Sequence, residues 1–367
     1  MSLRTLLGRN AARTAGALAA SLIMIPLAMA GTWRDHDGYS ASNRSTLVLT
    51  STNDPNGNQV IVFRLQTGSS PSLSYLQSLS TDGDGGAGGN AGALQFRNRL
   101  GAVANFGSNT VTQLIRAGGR VYLGKVIHLA PNCVKPDSVA LTRKQLFIVG
   151  SKCAESHAWP SGTLDGSIVP LSNSTAAQIA VGSTWGAITF TSGAVTQVGL
   201  TRHGALSGAT AAIALPASAD AVPLGEAFWH NVLGFSPAHS PDSLAIVDAA
   251  RHVAPIVGPT PPFPANAPCW VAKGPGNVWY TGNTPDQSIS IFFSDDDGGA
   301  FYKSVPLPGA PTDLAVSPDR KWLAVIYTAN DNAYIAIFAI NAYGGLKLTA
   351  TSEPIGAAHF NGVAFSQ

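Results

Sequence analysis

The chain has 367 residues, of which only 11% are charged, with 22 Lys and Arg against 20 Asp and Glu for a formal net charge of +2. So sparse and balanced a charge leaves no electrostatic footprint for nucleic acid and few basic clusters to hold an anionic membrane. With 45% hydrophobic residues the chain can bury one large core, and its 39 glycines and 24 prolines punctuate apolar runs rather than polar tracts, which excludes a disordered chain and favours short strands joined by turns.

The first thirty residues read as a signal. Arg4, Arg9 and Arg13 precede an apolar stretch from Ala15 to Leu27, and Ala28-Met29-Ala30 forms a small-x-small cleavage site before Gly31. The expected division is a signal peptide over 1–30 and one domain over 31–367, with an uncleaved anchor as the other reading. Loss of the three arginines takes the formal charge from +2 to −1. The expected destination is secreted or periplasmic, with no membrane span after cleavage. In an oxidising compartment, Cys133 and Cys153 flank a strand pair and can close a modest loop, although spacing alone does not settle bridge against free thiols. Cys269 reads as a small buried hydrophobe, and no Cys/His spacing supports a metal site.

From residue 92 onward one phrase recurs: a small or polar pair, an apolar-alternating run, a turn and a second apolar run. The copies open at Gly92, Asp137, Ala177, Gly225, Pro268, Thr312 and Asn361, in steps of 45, 40, 48, 43, 44 and 49 residues. A period near 45 with several strands per unit marks propeller blades. The seventh copy, Asn361 to Ser366, has no strand after it, while the chain enters at Ser45 to Thr50 on what matches the second strand of a blade. The expected fold is therefore all-β, a seven-bladed β-propeller closed by the C-terminal strand joining the first blade.

Turn chemistry agrees. Pro55-Asn56-Gly57-Asn58 separates Leu47–Thr50 from Val60–Arg64, and Gly107-Ser108-Asn109-Thr110 separates Ala102–Asn105 from Val111–Ile115. Trp279–Thr281 with Ser288–Phe293, and Leu323–Tyr327 with Ala333–Ile340, read as further hairpins. The acidic runs Thr81–Gly86 and Ser294–Gly299 lack the distal Glu of a helical calcium loop and read as turns. Ser151–Gly166 and His252–Ala267, rich in Trp, Pro and polar residues, read as long loops and a recognition surface.

Three phrases carry a family likeness: Ala267-Pro268-Cys269-Trp270-Val271 with Val278-Trp279-Tyr280-Thr281-Gly282-Asn283-Thr284, Thr312-Asp313-Leu314-Ala315-Val316-Ser317-Pro318-Asp319, and Asn105-Phe106-Gly107-Ser108-Asn109-Thr110. Together they resemble the exported bacterial branch of the lactonase-type seven-bladed propellers, the group similar to 6-phosphogluconolactonase and carboxymuconate cyclase. The resemblance implies an enzyme that hydrolyses or isomerises a small lactone, with no cofactor. Where phosphogluconolactonase-like members carry a His-rich phrase, this chain has Lys135-Pro136-Asp137-Ser138.

Inner-strand ends converge on the channel of a propeller, so the opening pair of each repeat supplies the candidate site. That position reads Ala93, Asp137, Gln178, Glu226, Cys269, Asp313 and Asn361, with His230 and His359 close by. Glu226, Asp313 and His359 are the catalytic candidates, as water-activating base and leaving-group acid. Asp137, Gln178, His230 and Asn361 are the substrate-binding candidates, Gln178 or Asn361 supplying an oxyanion donor. Each also has a structural reading, as a group that satisfies backbone or water in the channel. No Gly-x-Ser-x-Gly elbow, phosphate loop or His-Glu-x-x-His occurs. The rival function is a non-catalytic propeller that binds a small-molecule ligand, glycan or protein through its loops; under either reading the expected state is a monomer.

Overall fold

The structure, a computed structural model, describes residues 45–367 apart from 89–90, 173, 216–221, 238–242, 249–251, 258–266, 295–298 and 358. The signal region and the centres of the second acidic run and of the His252–Ala267 segment lie outside the described residues. The compact body spans Arg44–Gln367, and among the described residues it holds strands and turns with no helix long and apolar enough to cross a membrane.

Seven antiparallel sheets form the body. Their innermost strands are Asn361–Ser366, Leu94–Arg97, Pro136–Leu141, Ala176–Val181, Pro223–Trp229, Pro268–Lys273 and Ala310–Val316, for blades 1 to 7 in turn. Each packs against the innermost strand of the next blade, and the seventh against the first, so the sheets close into a ring. Blades 2 to 7 take their strands from consecutive stretches of chain. In blades 3 and 7 the outer edge is shared by two short pieces, Thr163–Leu164 with Val169–Pro170, and Leu346–Thr351 with Gly356–Ala357.

Blade 1 is the exception that makes the ring. Thr46–Ser51 pairs on one side with Gln59–Gln66 and on the other with Asn361–Ser366, in the register Leu47↔Ser366, Val48↔Phe365, Leu49↔Ala364 and Thr50↔Val363. Gly362 forms a bulge there with φ 81°, and a side chain at that position would meet the Leu94 backbone nitrogen at 2.8 Å, so the closing strand can lie directly against blade 2. Arg116 of blade 2 is 6% exposed and fastens the seam: its guanidinium donates to the Ser366 carbonyl and, at 2.5 Å, to the Ser45 carbonyl.

The core lies between blades, not within one. In Thr46–Ser51, Val48 faces a cluster with Ile326, Ile335 and Ile337 of blade 7, while Leu47 and Leu49 face one with Val103 and Leu114 of blade 2. Both faces of a middle strand are thus covered, which is why Leu47-Val48-Leu49 and Leu323-Ala324-Val325-Ile326 run apolar without alternation. Similar clusters fill the other five seams. The outermost strands, such as Ser72–Ser80 and Leu206–Ile213, carry mostly exposed or half-buried residues.

Both expected loops contain strand: within His252–Ala267, Val253–Val257 is the outermost strand of blade 5, paired with Ser243–Val247. Ser151–Gly166 is not a loop: Cys153–Ala158 is the third strand of blade 3, buried nearly throughout. Its polar residues mislead because they satisfy one another inside the sheet. Glu155 accepts from the Ala130 N–H at 2.9 Å and lies 2.8 Å from His157 Nε2, while His157 Nδ1 faces the Gly162 carbonyl at 3.0 Å. The same strand carries Cys153, joined to Cys133 in a disulfide with 5.4 Å between α-carbons.

Truncating Phe365 to Ala should cost about 3–5 kcal/mol, the usual penalty for an aromatic cavity. Deleting 361–366 should lower hydrogen-exchange protection in every blade. Protection lost in blade 1 alone would show that the seam does not hold the ring.

Candidate functional site

The recurrent phrase turns out to mark a β-bulge. Strand register slips at Pro136/Ser138, Ala176/Gln178, Pro223/Glu226, Pro268/Trp270, Pro311/Asp313 and around Gly362, each time at the start of an innermost strand. The extra residue shifts the alignment drawn from the sequence. Asp137 and Cys269 are themselves bulge residues, Asn361 precedes the bulge of its strand, and the residues that follow the bulge are Ser138, Gln178, Glu226, Trp270, Asp313 and Val363. Ala93 lies just before the short strand of blade 2, in which no bulge occurs.

The position after the bulge joins blades. Ser138 Oγ receives the Ile179 N–H of blade 4 at 3.4 Å. Gln178 grips the Glu226 backbone of blade 5 twice, accepting its N–H at 2.7 Å and donating to its carbonyl at 2.9 Å. Asp313 accepts the Leu314 N–H at 2.8 Å and the Val363 N–H of blade 1 at 3.1 Å. Gln178 and Asp313 are therefore committed to the ring.

The centre at this end is not an open channel. Ala91-Gly92-Ala93, which leads into blade 2, reaches across it: the Ala91 N–H donates to the Ala177 carbonyl of blade 4 at 3.2 Å, and the Gly92 carbonyl accepts from Val139 of blade 3 at 3.0 Å. Ala91 also joins the apolar cluster between blades 6 and 7, and the Gly92 N–H reaches the Asp313 carboxylate. Gly92, at φ 69°, leaves no room for a side chain between Ser138 Oγ and Gln178 Nε2, which a Cβ would meet at 3.0 and 3.2 Å.

Three buried carboxyls of the innermost strands have altered acidity, and one of them, Asp313, meets this plug at the Gly92 N–H. Burial raises Asp137 to about 7 against the lowering effect of the Lys135 ammonium. Burial likewise raises Asp313 to about 7, outweighing its backbone N–H donors. Glu226 is pushed well above the usual carboxylate value by burial. The Ala180 N–H tempers that shift, yet neither Glu226 oxygen has a partner in hydrogen-bond geometry, and the residue is 1% exposed. A buried carboxyl in this state is a proton donor held out of water.

The histidines stand apart from these groups. His359 is exposed in the link before the closing strand, its N–H donating to the Ala357 carbonyl at 2.8 Å. His230 is exposed in the turn after Pro223–Trp229, at φ 55°, four residues beyond Glu226, or about 13 Å along an extended strand. Asn361 is buried at the seam, and Cys269 is half-buried with its thiol donating to the Ala267 carbonyl at 3.1 Å. Cys133, Cys153 and Glu155 bring ligand-type atoms within 4.8 Å of one another, but the sulfurs are spent in the disulfide and the carboxylate on Ala130 and His157. Beside that disulfide lies a cavity of about 510 Å³ lined by Pro131, Cys133, Lys152, Ile168 and Pro170.

Sequence reasoning overlooked the opposite mouth, formed by the turns after the innermost strands. Hydrogen bonds run from turn to turn there: Ser183 and Thr184 to Asn231, Arg320 to the Lys273 carbonyl, Asp319 to Gln367, and Ser366 to the Asn98 carbonyl. These turns carry Arg97, Arg99, Arg143, Lys144, Lys273, Arg320 and Lys321 against one carboxylate side chain, Asp319. The only signal in the sequence was the recurrence of cations just past the first strand of a repeat.

No known protein-family profile and no curated protein matches the chain. Solved structures do. A candidate 6-phosphogluconolactonase from Bacteroides fragilis aligns at 14% identity and TM-score 0.61, over 90% of this chain and 100% of the other. A second, from Bacteroides uniformis, aligns at 15% identity and TM-score 0.65, over 88% and 100%. A protein from Lactobacillus plantarum aligns at 13% identity and TM-score 0.66, over 89% and 100%. At this identity the likeness is one of fold: the chain is a seven-bladed β-propeller that superposes on these structures over nearly its whole described length.

Proposed function

We propose that the protein is a lactonase-like propeller that hydrolyses a small lactone at the end of the ring where the innermost strands begin. The observation that carries this reading is Glu226, a carboxyl almost wholly buried, its value raised by burial and neither of its oxygens in hydrogen-bond geometry with a partner. In the proposed step, ionised Asp137 takes a proton from water as its oxygen adds to the lactone carbonyl. The ring C–O bond then breaks as Glu226 protonates the leaving alkoxide, giving a hydroxy acid. Asp313 and Gln178 are positioning residues, since their polar atoms hold the neighbouring blade. His359, exposed at the same end, meets substrate at entry. The Ala91–Ala93 segment has to move aside for a lactone to reach Glu226.

That requirement favours a second reading, a non-catalytic propeller that binds a small molecule or glycan through its loops. A lactone panel separates the two. Turnover should appear on at least one lactone, and Glu226→Gln should lower kcat about 10²-fold or more while leaving the fold intact, because Gln matches the neutral acid in shape. Binding without turnover on every lactone would assign the protein to the second reading, whereas full activity in the variant would remove Glu226 from the proposed step.

The rate should rise with pH through about 7, as Asp137 ionises, and Asp137→Asn should abolish that rise. Stability should move the other way. Because Asp137 and Asp313 have folded values raised to about 7 from 3.8, their contribution is fully present below about 3.8 and is lost as pH rises through about 7. Asp137→Asn should flatten that decline, measured as thermal midpoint against pH. An unchanged slope would show that Asp137 ionises as freely in the ring as in the unfolded chain.

A further inference from the structure

At the opposite mouth, two cations meet against one aromatic ring. Lys273 is 8% exposed, and its ammonium lies 4.9 Å from the Trp229 ring centroid and 5.1 Å from that of Trp279. It donates to the carbonyls of Gly274 at 3.0 Å, Gly276 at 2.5 Å and Val278 at 3.1 Å. The Arg320 guanidinium lies 4.4 Å from the Trp229 centroid and is fixed through Nη1 alone, on the Lys273 and Gly274 carbonyls. Among the described residues neither cation has a carboxylate within ion-pair distance.

This arrangement is costly without a ligand. Two like charges are half-buried or buried side by side with no counter-charge, and burial with the neighbouring Arg320 pushes the Lys273 ammonium down to about 8. Arg320 also sits at φ 59°, a conformation that disfavours a long side chain, inside a turn closed by its own N–H on the Ser317 carbonyl at 2.9 Å. The free Nε–Nη2 edge of its guanidinium matches a planar, two-oxygen acceptor. Trp229, 36% exposed, provides a flat wall beside that edge. Arg97, Arg143, Lys144 and Lys321 on the surrounding turns are exposed and draw anions toward the mouth.

We propose that this mouth, at the far end of the ring from Glu226, is a binding site for a carboxylate-bearing small molecule, held on the Arg320 edge beside Lys273 and lying along Trp229. It is independent of the lactone chemistry and stands or falls separately from it.

Calorimetric titration of the full chain with citrate, benzoate and inorganic phosphate, at one ionic strength set with sodium chloride, tests it. Citrate or benzoate should bind, Arg320→Ala should weaken that binding by about tenfold or more, and Arg320→Lys, which keeps the charge but loses the two-point edge, should weaken it nearly as much. Lys303→Ala, on the outermost strand of blade 6, should bind as the unaltered chain does. Thermal unfolding of Arg320→Lys guards against loss of fold. Affinity in both Arg320 variants equal to that of the unaltered chain, or no binding of either carboxylate by the unaltered chain, overturns the site. Phosphate binding more tightly than both carboxylates overturns the assignment to carboxylates.

Discussion

Antiparallel pairing between Asn361–Ser366 and Thr46–Ser51 is the contact on which everything else depends. Seven sheets in a row would leave an apolar face and an unpaired strand at each end. Closing the row gives both faces of every middle strand a neighbour, and this is why the cores lie at the seams between blades. Arg116 makes the closure specific, because it reads the backbone on both sides of the junction, at Ser45 and Ser366, and a buried guanidinium finds its acceptors only when those two segments are side by side.

The bulges at the start of the innermost strands do two jobs at once. They turn polar residues of several repeats toward the neighbouring blade, as with Gln178 on Glu226 and Asp313 on Val363. They also bury carboxyls where charge is expensive, one of them, Asp313, against the backbone of Ala91–Ala93. Chemistry and scaffolding thus draw on one set of positions. Glu226 is the member of the set whose side chain does not serve the scaffold, and burial outweighs the Ala180 N–H to push its acidity well away from the usual carboxylate value.

The ring was legible from the sequence because its cause is periodic: the step near 45 residues and the strand left over at Asn361 specify the blade count and the closure together. The bulge was not, since one inserted residue moves Asp137, Cys269 and Asn361 out of line with Gln178, Glu226 and Asp313 while leaving the hydrophobic pattern intact. Cys153–Ala158 was missed because Glu155 and His157 satisfy each other, and composition cannot distinguish a satisfied polar strand from a loop. The basic mouth was missed for a different reason. Its cations lie in successive repeats, and only the ring brings Lys273, Arg320 and Trp229 together.

The seam has a consequence in time. Blades 2 to 7 take their strands from consecutive residues and can assemble as they are made, but blade 1 needs residues 46–51 and 361–366, more than three hundred residues apart. Until the second stretch exists, Thr46–Ser51 offers a bare backbone edge flanked by Leu47 and Leu49, in a chain already mostly folded. The growing protein therefore passes through an open arc with one adhesive end, a state in which a chaperone or a neighbouring copy competes for the place of the final strand.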